Sequence, residues 1–264
     1  MTTTHSDAGN SDPLSTWTAL AATTAAALTA QGYARWTPAA TSSALARFGP
    51  TRAGDWTDFA ASWHRLVRDA YMGDGGRYRF RRHATYAWPA HGVLRLAPHQ
   101  AHYQARDYNA LNGGVERWFE AIEAPLAGGA VLRALISAGH DLVAGLRPGA
   151  GWHIETHQFR ITAEAHSKGR PTPEGVHRDG VDYVMVMMVH RENIASGRTE
   201  LYDRDGAAVA GFTLTDPAEL VMLDDERLAH GVTPVTPLEP GRPSYRDVLV
   251  VTFRVAGSAA QQGS

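Results

Sequence analysis

Apolar positions along this chain change their period about midway, and the change divides the sequence into two kinds of structure. Upstream of Trp152 they recur at intervals of three and four, the spacing of a helix face turned towards a core. Residues 13–31 read as a helix ended by Gly32, and residues 42–48 as a second. Residues 56–71 read as a third, because Trp56, Phe59, Trp63, Leu66 and Val67 fall at helical intervals. Gly73-Asp74-Gly75-Gly76 breaks the chain, and residues 77–83 then alternate in part with period two, as a strand does. Residues 101–105 suit another short strand. Residues 115–122 and 126–146 suit helices, the longer one carrying Val131, Leu135, Leu142 and Val143 as its stripe.

From Trp152 onward the pattern shortens. Residues 157–163, 181–190, 198–203, 207–212, 219–223, 231–235 and 248–255 read as extended segments divided by Gly, Pro and Asp turns. Many short strands at such spacing predict an antiparallel sandwich or barrel. Helices first and strands later give an α+β class, with N-terminal helices buttressing a sheet. The expected organisation is a polar, disordered tail over 1–12 and one domain over 13–264. Within that domain, 13–150 is mainly helical and 151–256 forms the sheet core.

Composition narrows the chemistry. The 264 residues, 44% hydrophobic, are ample for a buried core, and a formal net charge of −2 gives no global attraction to nucleic acid or to an anionic membrane. The chain has no Cys, which excludes disulfides, thiolate metal sites and cysteine nucleophiles, so a metal here must be held by His and carboxylates. The N-terminus lacks a signal-peptide pattern and no apolar run is long enough to span a bilayer, so a cytoplasmic protein is expected.

The candidate chemistry lies at His177-Arg178-Asp179, just ahead of the apolar run 181–189. Side chains at i and i+2 of an extended chain point the same way and can grip one ion together. With 13 His in the chain, about one His-x-Asp is expected by chance. His5-Ser6-Asp7 is such a match, in the tail with no strand beside it. The second copy has a strand and a distant partner, His230, whose following segment 231–235 is expected to neighbour the strand over 181–189 in the same sheet. Two imidazoles and one carboxylate are the set that holds non-haem Fe(II) on one face and leaves the opposite positions open. A 2-oxo acid filling those positions needs an arginine for its far carboxylate. Strand parity puts Arg246, Val248, Val250, Thr252 and Arg254 on one face and Leu249, Val251 and Phe253 on the other. Arg246, at the strand entrance, is the preferred anchor, with Arg254 in reserve.

At greater length the motif is specific. Residues 173–182, Pro-Glu-Gly-Val-His-Arg-Asp-Gly-Val-Asp, resemble the signature of bacterial 2-oxoglutarate- and Fe(II)-dependent dioxygenases that include the L-isoleucine 4-hydroxylase-like free amino-acid hydroxylases. The resemblance extends through residues 196–203, 230–234 and 245–249, with weaker echoes at Arg79 to Arg82, Gln104, Tyr108-Asn109 and Gly113-Gly114. It implies a double-stranded β-helix (jelly-roll, cupin-like), with Fe(II) on His177, Asp179 and His230 and 2-oxoglutarate as cosubstrate. It further implies O2-dependent hydroxylation of an aliphatic carbon, with release of succinate and CO2. The carboxylate at Asp179 favours hydroxylation over halogenation, which in related enzymes goes with a small residue there.

A free or modified amino acid would be the small-molecule substrate, and Arg81, Gln104, Arg160, Glu174 and Asp182 are candidate contacts. Met185, Met187 and Met188 would line an aliphatic pocket or, as is commoner in strands, fill a core. Two other readings stay open. A nucleic-acid or protein hydroxylase would use the arginines of residues 77–82, which otherwise form a solvated strand face or a carboxylate site. A non-catalytic cupin-like binder would need neither a full metal triad nor an arginine on the last strand.

Overall fold

The computed structural model describes residues 13–49, 52 and 54–257; the tail 1–12, with its His5-Ser6-Asp7 match, lies outside them. In chain order the elements are α1 (Pro13–Gln31), β1 (Tyr33–Trp36), α2 (Pro38–Phe48), α3 (Asp55–Ala61), β2 (Val67–Arg68), β3 (Arg79–Trp88) and β4 (Arg95–Leu96). Then come α4 (Ala124–Ala127), α5 (Ala130–Leu146), β5 (Trp152–Thr162), β6 (Tyr183–Glu192), β7 (Ile194–Ser196), β8 (Thr199–Tyr202) and β9 (Ala208–Phe212). The last are β10 (Leu220–Asp224), β11 (Ala229–Val232), β12 (Val235–Pro237) and β13 (Tyr245–Val255).

Helix α1 ends where expected. The Gly32 N–H closes on the Leu28 carbonyl at 2.9 Å and Gly32 takes φ +79°, a left-handed terminus that a Cβ would disfavour. Elsewhere tertiary contacts override the local pattern. The helix expected over 56–71 stops at Ala61 and tightens into a 3₁₀ turn, Ser62–Arg65, whose Trp63 indole donates to the Phe159 carbonyl at 3.0 Å. That bond ties the chain to β5, and Val67–Arg68 then pairs with β3 instead of continuing the helix. The helix expected over 126–146 is interrupted at Gly128-Gly129. The strand expected over 101–105 and the helix over 115–122 are replaced by one irregular loop. It is pinned at its base by reciprocal bonds between the His102 and Arg117 backbones, 3.0 and 2.9 Å.

The large antiparallel sheet has the order β1-β10-β6-β13-β5-β3-β2, with β4 on β3. Strands from the N-terminal part thus extend the same sheet, so that part is less purely helical than expected. A smaller sheet, β11-β8-β9, faces it, and β12-β7 forms a two-stranded ribbon. The chain before β6 runs beside β11 and β12 through bridges Gly169↔Val235 and His177↔His230. This is the jelly-roll arrangement. One placement is corrected: residues 231–235 do not neighbour β6 in its own sheet, because β11 pairs with β8 across the barrel.

Strand parity holds on β13. Leu249, Val251 and Phe253, with Met185 and Met187, pack against the helices, and Gly139 of α5 lies so close to Phe253 that a Cβ would meet its ring at 2.5 Å. The other face turns inward, where Val184, Met188, Val221, Leu223 and Val248 meet Leu201 and Phe212 of the small sheet. All three methionines are core. Each buried side chain of this size contributes about 1.5–3 kcal/mol. No helix among the described residues is long and apolar enough to cross a membrane.

Candidate metal centre and its pocket

His177, Asp179 and His230 converge between the two sheets, with one ligand atom from each all within 4.8 Å of one another. The His177 and His230 backbones exchange hydrogen bonds at 3.0 and 2.8 Å, which fixes the distant imidazole against the motif. The Asp179 carboxylate spans the pair, 3.4 Å from His177 Nε2 and 3.7 Å from His230 Nε2. His177 Nδ1 lies 3.0 Å from the Gly175 carbonyl, so Nδ1 carries the proton and Nε2 faces the site.

Asp225, buried in the turn before β11, holds the motif in place. Its carboxylate accepts the backbone N–H groups of Asp179, Gly180 and Val181 at 3.0, 2.8 and 3.2 Å. Gly180 is required at φ +77°, because a Cβ there would lie 2.6 Å from the Tyr108 ring of the irregular loop.

The electrostatics suit a cation. Burial, and then His177, lowers the His230 imidazole to about 4, leaving it neutral with a lone pair to offer. Burial would raise Asp179, but the His177 hydrogen bond and the two imidazoles hold it below the usual carboxylate range. His177 moves the other way: burial opposes its proton, while Asp179 and Glu174 outweigh burial and raise it to about 9. Burial and the neighbouring Asp179 charge raise Asp225 to about 7. Two imidazoles and a carboxylate beside a cavity fit Fe(II), since nitrogen and oxygen ligands are present and no thiolate competes.

The cavity beside the triad is walled by the inward faces of β3, β5, β6 and β13 and by the irregular loop. Of the expected contacts, Arg81, Gln104, Glu174, Arg246 and Arg254 line it. Arg160 and Asp182 do not. Arg160 is held by Asp247 through two bonds of 2.7 and 2.6 Å. Asp182 accepts the Val255 N–H at 2.8 Å and lies 3.7 Å from Arg147. Arg81 reaches the pocket already engaged, between Phe119 and Phe159 and beside Asp69, which also takes Arg79 at 2.7 Å.

Arg246 is different: it is 3% exposed, its Nε has no partner, and it forms no ion pair among the described residues. Burial and the neighbouring Arg191 lower its guanidinium to about 10. An unpaired buried cation is costly, so the site is built for an anion. Arg246 and Arg254 are separated by the length of the strand, opposite Ile161 and His153 respectively.

Sequence reasoning missed several wall residues. Glu155 is ringed by imidazoles, with His102 Nδ1 at 2.6 Å and His153 Nε2 at 3.3 Å. His83, His102, Glu155 and His157 also bring ligand atoms within 4.8 Å of one another. A metal there is disfavoured, because Arg81 Nη2 sits 2.6 Å from His157 Nδ1. A guanidinium only donates, so that nitrogen must accept and Nε2 must carry the proton, the wrong tautomer for ligation towards Glu155. The alternation His153, Glu155, His157 was the available signal, but the expected strand began only at His157.

The sequence profile of the 2OG-Fe dioxygenase family matches residues 60–252. The 3(1)-hydroxy-L-isoleucine 4-dioxygenase of Pantoea ananatis is 22% identical over 196 residues, covering 73% of this chain and 78% of that protein. Among solved structures, a bsmA homolog from Methylobium petroleophilum is 36% identical with a TM-score of 0.77, covering 89% of this chain and 93% of that one. IDO from Bacillus thuringiensis shares the fold with a TM-score of 0.74 at 16% identity, covering 89% and 99%.

Proposed function

Because this chain belongs to the 2OG-Fe dioxygenase family, whose members use Fe(II), 2-oxoglutarate and O2, we propose that it hydroxylates an aliphatic carbon of an amino acid or a close derivative. The observation that carries the reading is the coincidence, in one cavity, of the His177-Asp179-His230 triad and the unpaired Arg246. The substrate class is supported by the similarity to the 3(1)-hydroxy-L-isoleucine 4-dioxygenase.

In this reading His177, Asp179 and His230 are the metal ligands and Arg246 binds the far carboxylate of 2-oxoglutarate. Held there, iron with 2-oxoglutarate and O2 would supply the oxidant for the hydroxylation, with succinate and CO2 released beside the hydroxylated product. The chain's own work is placement. Asp225 holds the Asp179 backbone rigid, Val184, Val186, Val248 and Val250 keep the inner wall dry, and the loop from His102 to Arg117 closes over the motif. The arginine run does not favour a nucleic-acid substrate, since Arg79 and Arg81 are buried on Asp69 and offer no exposed basic stripe.

The test is anaerobic addition of Fe(II) and 2-oxoglutarate, followed by admission of O2 with free and N-acylated amino acids. A visible charge-transfer band and substrate-stimulated succinate are expected. No band, or succinate that no amino acid raises above the uncoupled background, overturns the reading.

A further inference from the structure

The pocket's buried arginines differ in whether a carboxylate neutralises them. Arg79 and Arg81 share Asp69. Arg246 has none, and the reading above commits it to the cosubstrate. Arg117 is the other exception. It is 2% exposed and lines the same cavity, its Nε is buried without a partner, and it pairs with no carboxylate among the described residues. Its Nη2 donates only to Gln104 Oε1, at 3.3 Å. Gln104 in turn donates to the Asp179 carbonyl at 3.2 Å, so the orphan guanidinium is braced against the metal motif itself.

One acid in the cavity has the complementary deficit. The Glu174 side chain is 9% exposed, with Oε1 3.4 Å from His177 Nε2, and its Oε2 is buried without a partner. Glu155, by contrast, is occupied by His102 and His153. Arg117 and Glu174 line the same cavity, yet no ion pair joins them among the described residues. A buried donor and a buried acceptor of opposite charge, held apart beside the reacting centre, match a molecule that carries both charges on adjacent groups.

We propose that Arg117 and Glu174 form the clamp for the head group of a zwitterionic α-amino acid, with the α-carboxylate on Arg117 and the α-ammonium on Glu174. The inference rests on the hydroxylase reading and specifies its substrate: a free amino acid, unblocked at both ends. Gln104 is a positioning residue, holding Arg117 over Asp179.

The test is calorimetric titration of L-isoleucine, L-leucine and L-valine, their α-amides and their N-acetyl derivatives into protein loaded with Fe(II) and 2-oxoglutarate under nitrogen. The chelate band is recorded in the same samples. At least one free amino acid is expected to bind about tenfold or more tighter than both of its blocked forms, because a blocked end leaves a buried charge unmatched. Arg117→Leu should erase the preference over the α-amide, with Arg117→Lys recovering part of it, while the band persists. The isosteric Glu174→Gln should erase the preference over the N-acetyl form.

Equal binding of free and blocked forms, binding of none of the panel, or variants that weaken all probes alike would overturn the clamp. A missing band in the unaltered protein counts against the hydroxylase reading. A normal band without head-group preference counts against the clamp alone.

Discussion

The two faces of β13 are made from alternate residues of one strand, yet they serve opposite ends. Leu249, Val251 and Phe253 meet the helices in a wall built mainly of aliphatic and aromatic side chains, where packing stabilises the fold. Arg246, Val248, Val250, Thr252 and Arg254 meet the cavity, where the protein alone leaves the Arg246 guanidinium without an ion pair among the described residues. The difference teaches where free energy is stored for ligands. A face that saturates its own contacts contributes stability, and a face that leaves charges unmatched gives some up and recovers it on binding.

That contrast can be broken deliberately. The largest effect is expected from Asp179→Ala, which should reduce amino-acid-dependent succinate formation to background while far-UV circular dichroism and thermal unfolding stay close to the parent. Retained turnover would remove Asp179 from the ligand set. Asp69→Asn comes next. It leaves Arg79 and Arg81 buried without their shared carboxylate, and denaturant unfolding should show a loss of about 3–5 kcal/mol. Leu249→Ala, on the helix face, should cost about 2–5 kcal/mol in the same measurement with the KM for 2-oxoglutarate unchanged.

Arg246→Leu should do the reverse, raising that KM about a hundredfold, or about 2.8 kcal/mol, with little loss of stability. If Arg254→Leu raises the KM and Arg246→Leu does not, the anchor lies at the other end of the strand. Met187→Leu is the mildest, about 1.5 kcal/mol or less in stability with kinetics unaltered, because it conserves volume in the helix-facing core. Equal effects of Leu249→Ala and Arg246→Leu on both readouts would erase the distinction between the faces.

What could be read beforehand follows how local each signal is. The parity of β13 was legible, because period two is written in adjacent residues. The His-x-Asp pair and His230 were legible as chemistry, but not the backbone bridge that joins His177 to His230, since pairing over some fifty residues has no local signature. Expecting β11 beside β6 was the price of that. Arg117 and Asp225 went unread for a related reason. They sit on a loop and a turn, where no period marks a buried side chain, and only the hydrogen-bond accounting of the folded chain exposes Asp225 as a brace and Arg117 as an orphan. The arginines of β3 were left open between a solvated face and a carboxylate site, and the Asp69 that draws Arg79 and Arg81 inside lies in a stretch whose spacing predicts helix.

The loop from His102 to Arg117 closes on itself through the reciprocal His102 and Arg117 backbone bonds and the Gly114 N–H to Gln104 carbonyl bond, and touches the metal motif at Gln104 and Tyr108. Such a loop is a replaceable faceplate on a fixed engine. Lengthening or shortening its outer turn, between Tyr108 and Asn112, changes the room above the site while β11 and the bridged segment before β6, which carry the iron-ligand candidates, keep their register. Descendants of one jelly-roll can therefore diverge in diet without relearning oxidation.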